Sequence, residues 1–304
     1  MFAYLDIMRP HNAAMSMLAV FIGWILILGF DPSTFVAPQL LLSIIAVFLI
    51  SGAGNVINDY LDIEADKLNK PKRPLPSGKI NPGVALAYAM MLFLTGIVLA
   101  GFVNTITFAI AIANSLVLVI YSFLLQNKIF LGNLSIAYLV GSTFLFGGAA
   151  TGSLAFLQLP LILMLLSGMA TFSREIVKDL EDIEGDKQSF LKRLSNGIGR
   201  LAERFGFASD GDIDLKYNKE RARIIAAASI FLGVLISPTP FLFGLFGTIY
   251  LLALVPADVV FLFAFYLSVK ENGKRNYSGI SRSIKIGMMI ALMAFVLGVI
   301  FKGY

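Results

Sequence analysis

Two acidic clusters with the same spacing are the residues of this chain with the clearest chemical potential. Each has three aspartates in the pattern D-x-x-D-x-x-x-D: Asp59, Asp62 and Asp66 in the first, and Asp179, Asp182 and Asp186 in the second. On an α-helix, positions i, i+3 and i+7 fall within about 60° of one another, so each triplet is predicted to form one carboxylate stripe. Carboxylate oxygens ligate hard divalent cations, and the spacing therefore predicts a pair of metal sites.

Magnesium is the cation that this pattern favours, because it takes oxygen ligands, keeps several waters and commonly shares the phosphates of a substrate. Two such sites facing each other could hold a diphosphate between two Mg²⁺ ions and neutralise it as a leaving group. Six carboxylates and a diphosphate carry more negative charge than two Mg²⁺ ions offset, so basic residues are needed nearby. Lys67, Lys70, Lys72 and Arg73 follow the first motif, and Arg174 and Lys178 flank the second. Lys128 lies in a predicted loop between the two motifs.

Two amides accompany the first motif. Asn55 projects onto the same helical face as the aspartates and is a candidate ligand of metal or phosphate. Asn58 points about 60° away from that face and is a weaker candidate.

The composition indicates the kind of protein that carries these acidic and basic side chains. The chain has 304 residues, of which 58% are hydrophobic and 14% charged, and its mean hydropathy is +0.82. This profile is typical of a polytopic membrane protein. Cysteine is absent and His11 is the single histidine, which excludes zinc–thiolate and multi-histidine sites. The net charge of +5 does not indicate a nucleic-acid partner, because in a membrane protein the placement of charge matters more than its sum.

Hydrophobic segments long enough to cross a bilayer predict an all-α protein with nine transmembrane helices. They cover roughly 12–30, 38–60, 82–102, 105–124, 133–150, 158–180, 221–237, 240–269 and 281–301. The eighth segment is long and contains Pro256, a residue that can kink or divide a helix. Glycines in the later segments are expected to allow helices to approach closely: Gly141, Gly147, Gly148, Gly244 and Gly247.

The distribution of basic residues predicts the orientation. With a cytoplasmic N-terminus, nine spans place every Lys and Arg except Lys302 on the cytoplasmic side. The C-terminus is then outside, and both acidic motifs end even-numbered spans on the cytoplasmic side. Each motif also lies at a helix C-terminus, where the backbone dipole is negative, so clustered carboxylates there imply bound cations.

Two further features remain open at this stage. Residues of about 187–219 form a polar segment, predicted to be a cytoplasmic loop with a short amphipathic helix near 189–205 within a single domain spanning 1–304. Asp258 lies inside the eighth span, where an ionisable residue suggests a function, although a break at Pro256 would also let it cap a helix or reach water.

Two long segments closely resemble the signature motifs of the UbiA superfamily of intramembrane prenyltransferases. They are 58–78, which reads N-D-Y-L-D-I-E-A-D-K-L-N-K-P-K-R-P-L-P-S-G, and 174–186, which reads R-E-I-V-K-D-L-E-D-I-E-G-D. The resemblance extends to the nine-span layout. It implies a helical bundle around a central, lipid-accessible cavity, and it implies that the protein lies in the cell membrane. It also implies that Mg²⁺ at both motifs binds an isoprenyl diphosphate.

The resemblance assigns roles residue by residue. Asn55 with the first three aspartates would hold one metal, and the second three aspartates the other. Arg73 would contact the diphosphate, and Asn12 would line the pocket where the acceptor meets the prenyl chain. The tyrosine-containing segment before the fifth span corresponds to Tyr121, Ser122 and Lys128, and the Tyr121 ring could stabilise an allylic cation. The basic and amide groups expected to bind substrate also include Asn58, Lys67, Arg174 and Lys178.

The second motif resembles the archaeal ether-lipid branch of the superfamily. That branch implies a geranylgeranyl diphosphate donor and a lipid-like phosphate acceptor, geranylgeranylglyceryl phosphate. A prenyltransferase of quinone synthesis, which acts on an aromatic acceptor, is the alternative within the superfamily. A divalent-cation transporter is the alternative outside it, but ionisable groups that could continue a path across the membrane are limited to Asp258 and Asp31.

Overall fold

The computed structural model describes residues 2–126, 128–153, 157–185, 219–270 and 276–301, with the side chains of 182–185 excepted. Within these ranges the chain is helical and contains no strand. The helices are α1 (Phe2–Met8), α2 (Pro10–Leu28), α3 (Pro38–Leu61), α4 (Ile63–Asn69), α5 (Pro82–Val103), α6 (Thr105–Ile120), α7 (Ile129–Ala149), α8 (Gln158–Gly185), α9 (Lys219–Ile236), α10 (Thr239–Leu242), α11 (Thr248–Val269) and α12 (Tyr277–Ile300).

Nine of the described helices are long and apolar enough to cross a membrane, which confirms the predicted number of spans. They are α2, α3, α5, α6, α7, α8, α9, α11 and α12. The predicted helix near 189–205 and the rest of the 187–219 segment lie almost entirely outside the described residues.

Local sequence sets where several spans begin. Proline occupies the first turn of α2, α3 and α5, where its missing N–H has no helical partner to lose. Asn104 caps α6 by accepting hydrogen bonds from the Ile106 and Thr107 backbone N–H groups at 3.0 and 2.9 Å. The Thr107 hydroxyl accepts in return from the Asn104 N–H at 3.2 Å, which completes a capping box.

The eighth span is shorter than predicted. After Pro238 and the single turn of α10, the chain passes through Gly244, whose φ of +66° is left-handed, and α11 begins only at Thr248. Hydropathy could not reveal this, because the residues of the turn are as apolar as those of the helix. Pro256 lies inside a continuous α11 and does not divide it.

The chain divides into two compact units. Unit 1 comprises Met1–Phe123 with Ser142–Pro160, and unit 2 comprises Leu124–Gly141 with Leu161–Tyr304. In unit 1, a Cβ added at Gly23 would lie 2.0 Å from the Phe144 carbonyl oxygen, and one at Gly147 would lie 2.0 Å from that of Val20. The backbones of α2 and α7 therefore touch directly, as small residues allow in membrane helices.

The sequence predicted close helix approach at several glycines, and the structure confirms some of these predictions and contradicts one. Close approach is confirmed at Gly147, at Gly148 against Pro160, and at Gly141 against the Met164 carbonyl of unit 2. It is wrong for Gly244, which has no neighbouring atom within 4 Å of an added Cβ and instead supplies the left-handed turn.

Two candidate metal-binding motifs

The first motif spans a joint between two helices. α3 ends at Leu61, Asp62 adopts φ −90° and ψ 6°, and α4 begins at Ile63. The prediction of one uninterrupted helical stripe is therefore wrong in detail. The backbone N–H of Asp62 still bonds to the Asn58 carbonyl at 3.0 Å, and that of Asp66 to the Asp62 carbonyl at 2.8 Å. These bonds keep the i to i−4 backbone pattern on both sides of the joint, at Asp62 and at Asp66.

Arg73 connects the two ends of this motif. Its Nη1 atom donates to Asp59 Oδ1 at 3.0 Å and to Asp66 Oδ2 at 2.5 Å. Asp59 and Asp66 are only 2% and 5% exposed. One nitrogen reaches both carboxylates, so the spacing prediction that Asp59 and Asp66 share a face holds despite the break at Asp62.

A second arginine, Arg9, forms an ion pair with the same Oδ1 atom of Asp59. Arg9 lies between α1 and α2 with φ +51° and ψ +67°, the one left-handed conformation of a non-glycine residue among those described. Such backbone costs an L-residue about 1–2 kcal/mol, so surrounding contacts must hold it. One of them is the Asn55 amide, whose Nδ2 donates to the Met8 carbonyl at 2.9 Å.

The first motif, in unit 1, provides the carboxylate and amide oxygens that magnesium prefers as ligands. Within the described residues, no group of three acidic or histidine side chains is placed to hold an ion unaided. Magnesium does not need such a cage, since it keeps waters and shares substrate phosphates. Asn58 Oδ1 is buried and has no hydrogen-bond partner, and the engaged Nδ2 of Asn55 leaves its Oδ1 as the atom able to ligate. Asn58 is thus a stronger candidate than its helical angle predicted.

The second motif lies on α8, in unit 2. Asn133 of α7 donates from Nδ2 to Asp179 Oδ2 at 2.9 Å. Arg174 pairs with its neighbour Glu175, and Lys178 is exposed. Asp182 lies one turn beyond Asp179 on the same helix, but its side chain is outside the described part, as is Asp186 entirely.

The remaining predicted site residues lie on several other elements of the structure. Asn12 is exposed in the first turn of α2, and Lys67 pairs at 2.7 Å with Glu64 on the exposed side of α4. Tyr121 and the buried Ser122 form part of a π-helical turn, Tyr121–Leu125, a feature often found at functional sites. Lys128 precedes α7 and accepts the Gly132 N–H at its carbonyl, at 2.8 Å.

Two residues that the sequence did not single out contact the motif carboxylates. Arg9 is a basic residue before the first span, and the proline that follows it restricts its backbone and marks a junction. Asn133 is a polar residue at the start of the predicted fifth span, and polar residues of membrane helices often hydrogen-bond to another helix. Periodicity identifies neither partner, because both contacts join segments far apart in the chain.

Asp258 has a local partner in unit 2. The Ser237 hydroxyl donates to the Asp258 carboxylate, with oxygen–oxygen distances of 3.1 and 2.9 Å. The Tyr250 hydroxyl donates to the Ser237 carbonyl at 2.7 Å. These bonds join the end of α9 to α11 around the turn that contains Pro238. Asp258 accepts from a serine hydroxyl inside a continuous α11, so the predicted break at Pro256 that would let it cap a helix is not present.

The two acidic motifs, each ending a membrane-spanning helix, define an intramembrane enzyme class that comparison with known proteins identifies. Residues 16–278 match the UbiA prenyltransferase family. The chain belongs to this family and is a multi-pass membrane prenyltransferase.

Individual relatives agree with this assignment. The chain is 41% identical to the digeranylgeranylglyceryl phosphate synthase of Methanococcoides burtonii, over 97% of this chain and 99% of that protein. It is 37% identical to the synthase of that name from Methanococcus aeolicus, over 97% and 96%.

Solved structures share the fold. A structure of digeranylgeranylglyceryl phosphate synthase superimposes with a TM-score of 0.81 at 36% identity, covering 98% of both chains. A UbiA homologue from Archaeoglobus fulgidus, solved with DMAPP and Mg²⁺, superimposes with a TM-score of 0.65 at 17% identity, covering 96% of this chain and 98% of that one.

Proposed function

We propose that this enzyme transfers a geranylgeranyl group from geranylgeranyl diphosphate to the hydroxyl of geranylgeranylglyceryl phosphate. The carbon–oxygen bond to the diphosphate breaks and an ether bond forms, so the products are the diether phosphate, diphosphate and a proton. The reaction would belong to archaeal membrane lipid synthesis. The names of relatives that cover nearly the whole chain support the acceptor.

The observation that carries the proposal is the buried pair of Asp59 and Asp66 bridged by one atom of Arg73. Taking one carboxylate out of water without a partner is strongly unfavourable, and removing one member of a buried ion pair costs about 3–5 kcal/mol. A helix end that buries two carboxylates therefore requires cations beside them. Magnesium held there would supply positive charge to the departing diphosphate.

The residues of the chain divide the work as follows. Asn55, Asp59, Asp62 and Asp66 would hold one Mg²⁺, and Asp179, Asp182 and Asp186 a second. Arg73 would bind oxygens of the diphosphate, for which its planar guanidinium is suited. Further groups expected to contact donor or acceptor are Asn12, Asn58, Lys67, Ser122, Lys128, Arg174 and Lys178.

The apolar spans would hold the prenyl chain, where each buried CH₂ contributes roughly 0.8 kcal/mol. The same surroundings exclude water, which would otherwise capture an allylic cation. The Tyr121 ring would stabilise that cation through its face. A central cavity open to lipid, formed within a single domain spanning 1–304, is part of the proposal.

The orientation is proposed from the charge distribution. With the N-terminus in the cytoplasm of a cell-membrane protein, both motifs face the cytoplasm and the C-terminus lies outside. The diphosphate released by the reaction would then leave on the cytoplasmic side.

An assay with labelled geranylgeranyl diphosphate and Mg²⁺ tests the function directly. Purified protein should form a labelled, acid-stable ether with geranylgeranylglyceryl phosphate and none with an aromatic carboxylate. Transfer to the aromatic acceptor alone would replace the proposal with the quinone-synthesis activity, and transfer to neither would overturn it. Chain-length specificity measured across C10 to C25 donors would then define the cavity.

A further inference from the structure

We propose that Arg9 and Arg73 are counter-cations that keep the first motif closed to a free divalent metal until a diphosphate arrives. The inference rests on the proposed function of that motif. It adds a role for Arg9, and it predicts that metal and diphosphate bind cooperatively rather than in sequence.

The geometry places both guanidinium groups in competition with a metal. Arg9 Nη2 and Arg73 Nη1 converge on one atom, Asp59 Oδ1. The Asp59 side chain is 3% exposed, whereas those of Arg9 and Arg73 are 23% and 24% exposed. The carboxylate therefore lies beneath the two arginines, and a cation that approaches it from water meets them first.

The charge balance gives the direction of the coupling. Two arginines against the three aspartates of the motif, Asp59, Asp62 and Asp66, leave one negative charge, so a lone Mg²⁺ would give the site a net positive charge beside two cations. A diphosphate supplies oxygens for both guanidinium groups and negative charge for the metal. Arg9 and Arg73 can then exchange carboxylate for phosphate, since both are anionic oxygen acceptors with which arginine forms strong hydrogen bonds.

The backbone around Arg9 is fixed as this role requires. Met8 is buried, its carbonyl accepts from Asn55 Nδ2 at 2.9 Å, and Tyr88 Oη lies 3.0 Å from its sulfur atom. A Cβ added at Gly52 would lie 2.6 Å from the Met8 methyl group, so α3 leaves room for this residue. These contacts anchor the left-handed Arg9, and Asn55 links the junction to the proposed metal ligands.

Metal and anion binding by the purified full chain would test the proposal. Electron paramagnetic resonance would give the affinity for Mn²⁺ alone, and equilibrium dialysis at a fixed free Mn²⁺ concentration would give the affinity for labelled inorganic pyrophosphate. Arg9→Gly removes the side chain and suits the left-handed backbone, so it separates loss of charge from loss of folding. Arg9→Lys keeps the charge, Arg73→Gln tests the second arginine, and Arg282→Gln removes an exposed arginine of α12 as the matched control.

We expect Arg9→Gly and Arg73→Gln to bind free Mn²⁺ about tenfold more tightly than the wild type and pyrophosphate about tenfold more weakly. Arg9→Lys and Arg282→Gln should stay close to the wild type. A merely structural role for Arg9 would weaken both affinities, and no gain in affinity for free Mn²⁺ would overturn the proposal.

Failure of the underlying function would give a different result. If the wild type and Asp59→Asn bound Mn²⁺ with pyrophosphate equally well, the first motif would not be the metal site at all. If Asp59→Asn lost that binding but the Arg9 variants gained no affinity for free Mn²⁺, only the counter-cation role would be wrong.

Discussion

The two acidic motifs share their spacing but differ in the groups that hold them. In unit 1, Asp59 is paired with Arg9 and Arg73, which lie outside the stripe and carry full positive charge. In unit 2, Asp179 accepts a hydrogen bond from the neutral amide of Asn133 on the preceding span. Arg174, the arginine adjoining that motif, pairs with Glu175 instead.

This difference shows that a repeated motif does not imply repeated contacts. Arginines compete with a metal for a carboxylate, whereas an amide donor orients the carboxylate. We therefore expect metal binding at the first motif to depend on diphosphate, and the Asn133 amide to influence the second motif alone. The following experiments test this comparison in order of decreasing effect.

The largest effect should come from removing one carboxylate of either motif. Asp59→Ala and Asp182→Ala should each lower prenyl transfer by about 10³-fold, because each removes a ligand of a metal that stabilises the leaving group. Initial rates with labelled donor measure this, with folding checked by size-exclusion chromatography.

Asp31→Ala is the matched control for these variants. Asp31 is exposed between the first two spans, and the Ser33 backbone N–H hydrogen bond lowers the pKa of its carboxyl, so it is a carboxylate at neutral pH that lies outside both motifs. Its removal should leave the rate within about twofold of the wild type. Full turnover by either motif variant would contradict the assigned roles.

The number of bound Mn²⁺ ions tests whether each motif holds its own metal. In the presence of pyrophosphate, the wild type should bind two Mn²⁺ ions, and Asp59→Ala and Asp179→Ala one each. Without pyrophosphate, the ion that Asp59→Ala removes should bind more weakly than it does with pyrophosphate, since the two arginines oppose it. Chelation of all metal should abolish transfer, and added Mg²⁺ should restore it. Loss of both ions in either variant would indicate one shared site instead of two.

Replacing the amide of Asn133 should have a smaller effect. Asn133→Leu keeps the volume but removes the donor to Asp179, and loss of such an orienting group commonly costs 10–100-fold in metal affinity or activity. Ser135→Ala on the same helix is the control, since its hydroxyl donates only to the Leu131 carbonyl of its own helix, at 2.8 Å. The affinity of the first motif should not change. Equal transfer rates in Asn133→Leu and Ser135→Ala would show that the amide does not orient Asp179.

The smallest effect is expected at Asp258, a carboxylate outside both motifs. Asp258→Asn should leave transfer within about twofold and lower the apparent Tm in detergent by about 2–4 °C, as expected for a loss near 1 kcal/mol. Tyr250→Phe, which removes the donor to the Ser237 carbonyl, should lower the Tm similarly. A large loss of transfer at unchanged Tm would instead assign Asp258 to the reaction.

The sequence predicted the spans and the chemical type of the site well, because both depend on local patterns. Long apolar runs define the membrane helices, and the D-x-x-D-x-x-x-D spacing brings Asp59 and Asp66 to one face even across the joint at Asp62. The positions of Arg9 and Asn133 could not be predicted. Their contacts lie 50 and 46 residues away along the chain and depend on how the helices pack.

The start of the eighth span was wrong for a similar reason. The residues from Phe243 to Gly247 are apolar enough for a helix, yet they form a turn that contains the left-handed Gly244. Hydropathy measures burial in lipid and carries no information on φ. The buried, unpartnered oxygen of Asn58 could not be predicted, because an angle on an ideal helix does not report whether an amide oxygen finds a partner.

The backbone contact between α2 and α7 has a consequence for engineering. Exchanging helical glycine for alanine is a standard route to more heat-resistant proteins and commonly gains about 0.4–1 kcal/mol. At Gly23 and Gly147 the new methyl group would instead sit 2.0 Å from a carbonyl oxygen. Libraries that aim at thermostable variants for crystallography should leave these two positions unchanged, because there the backbone of the neighbouring helix packs directly against the glycine.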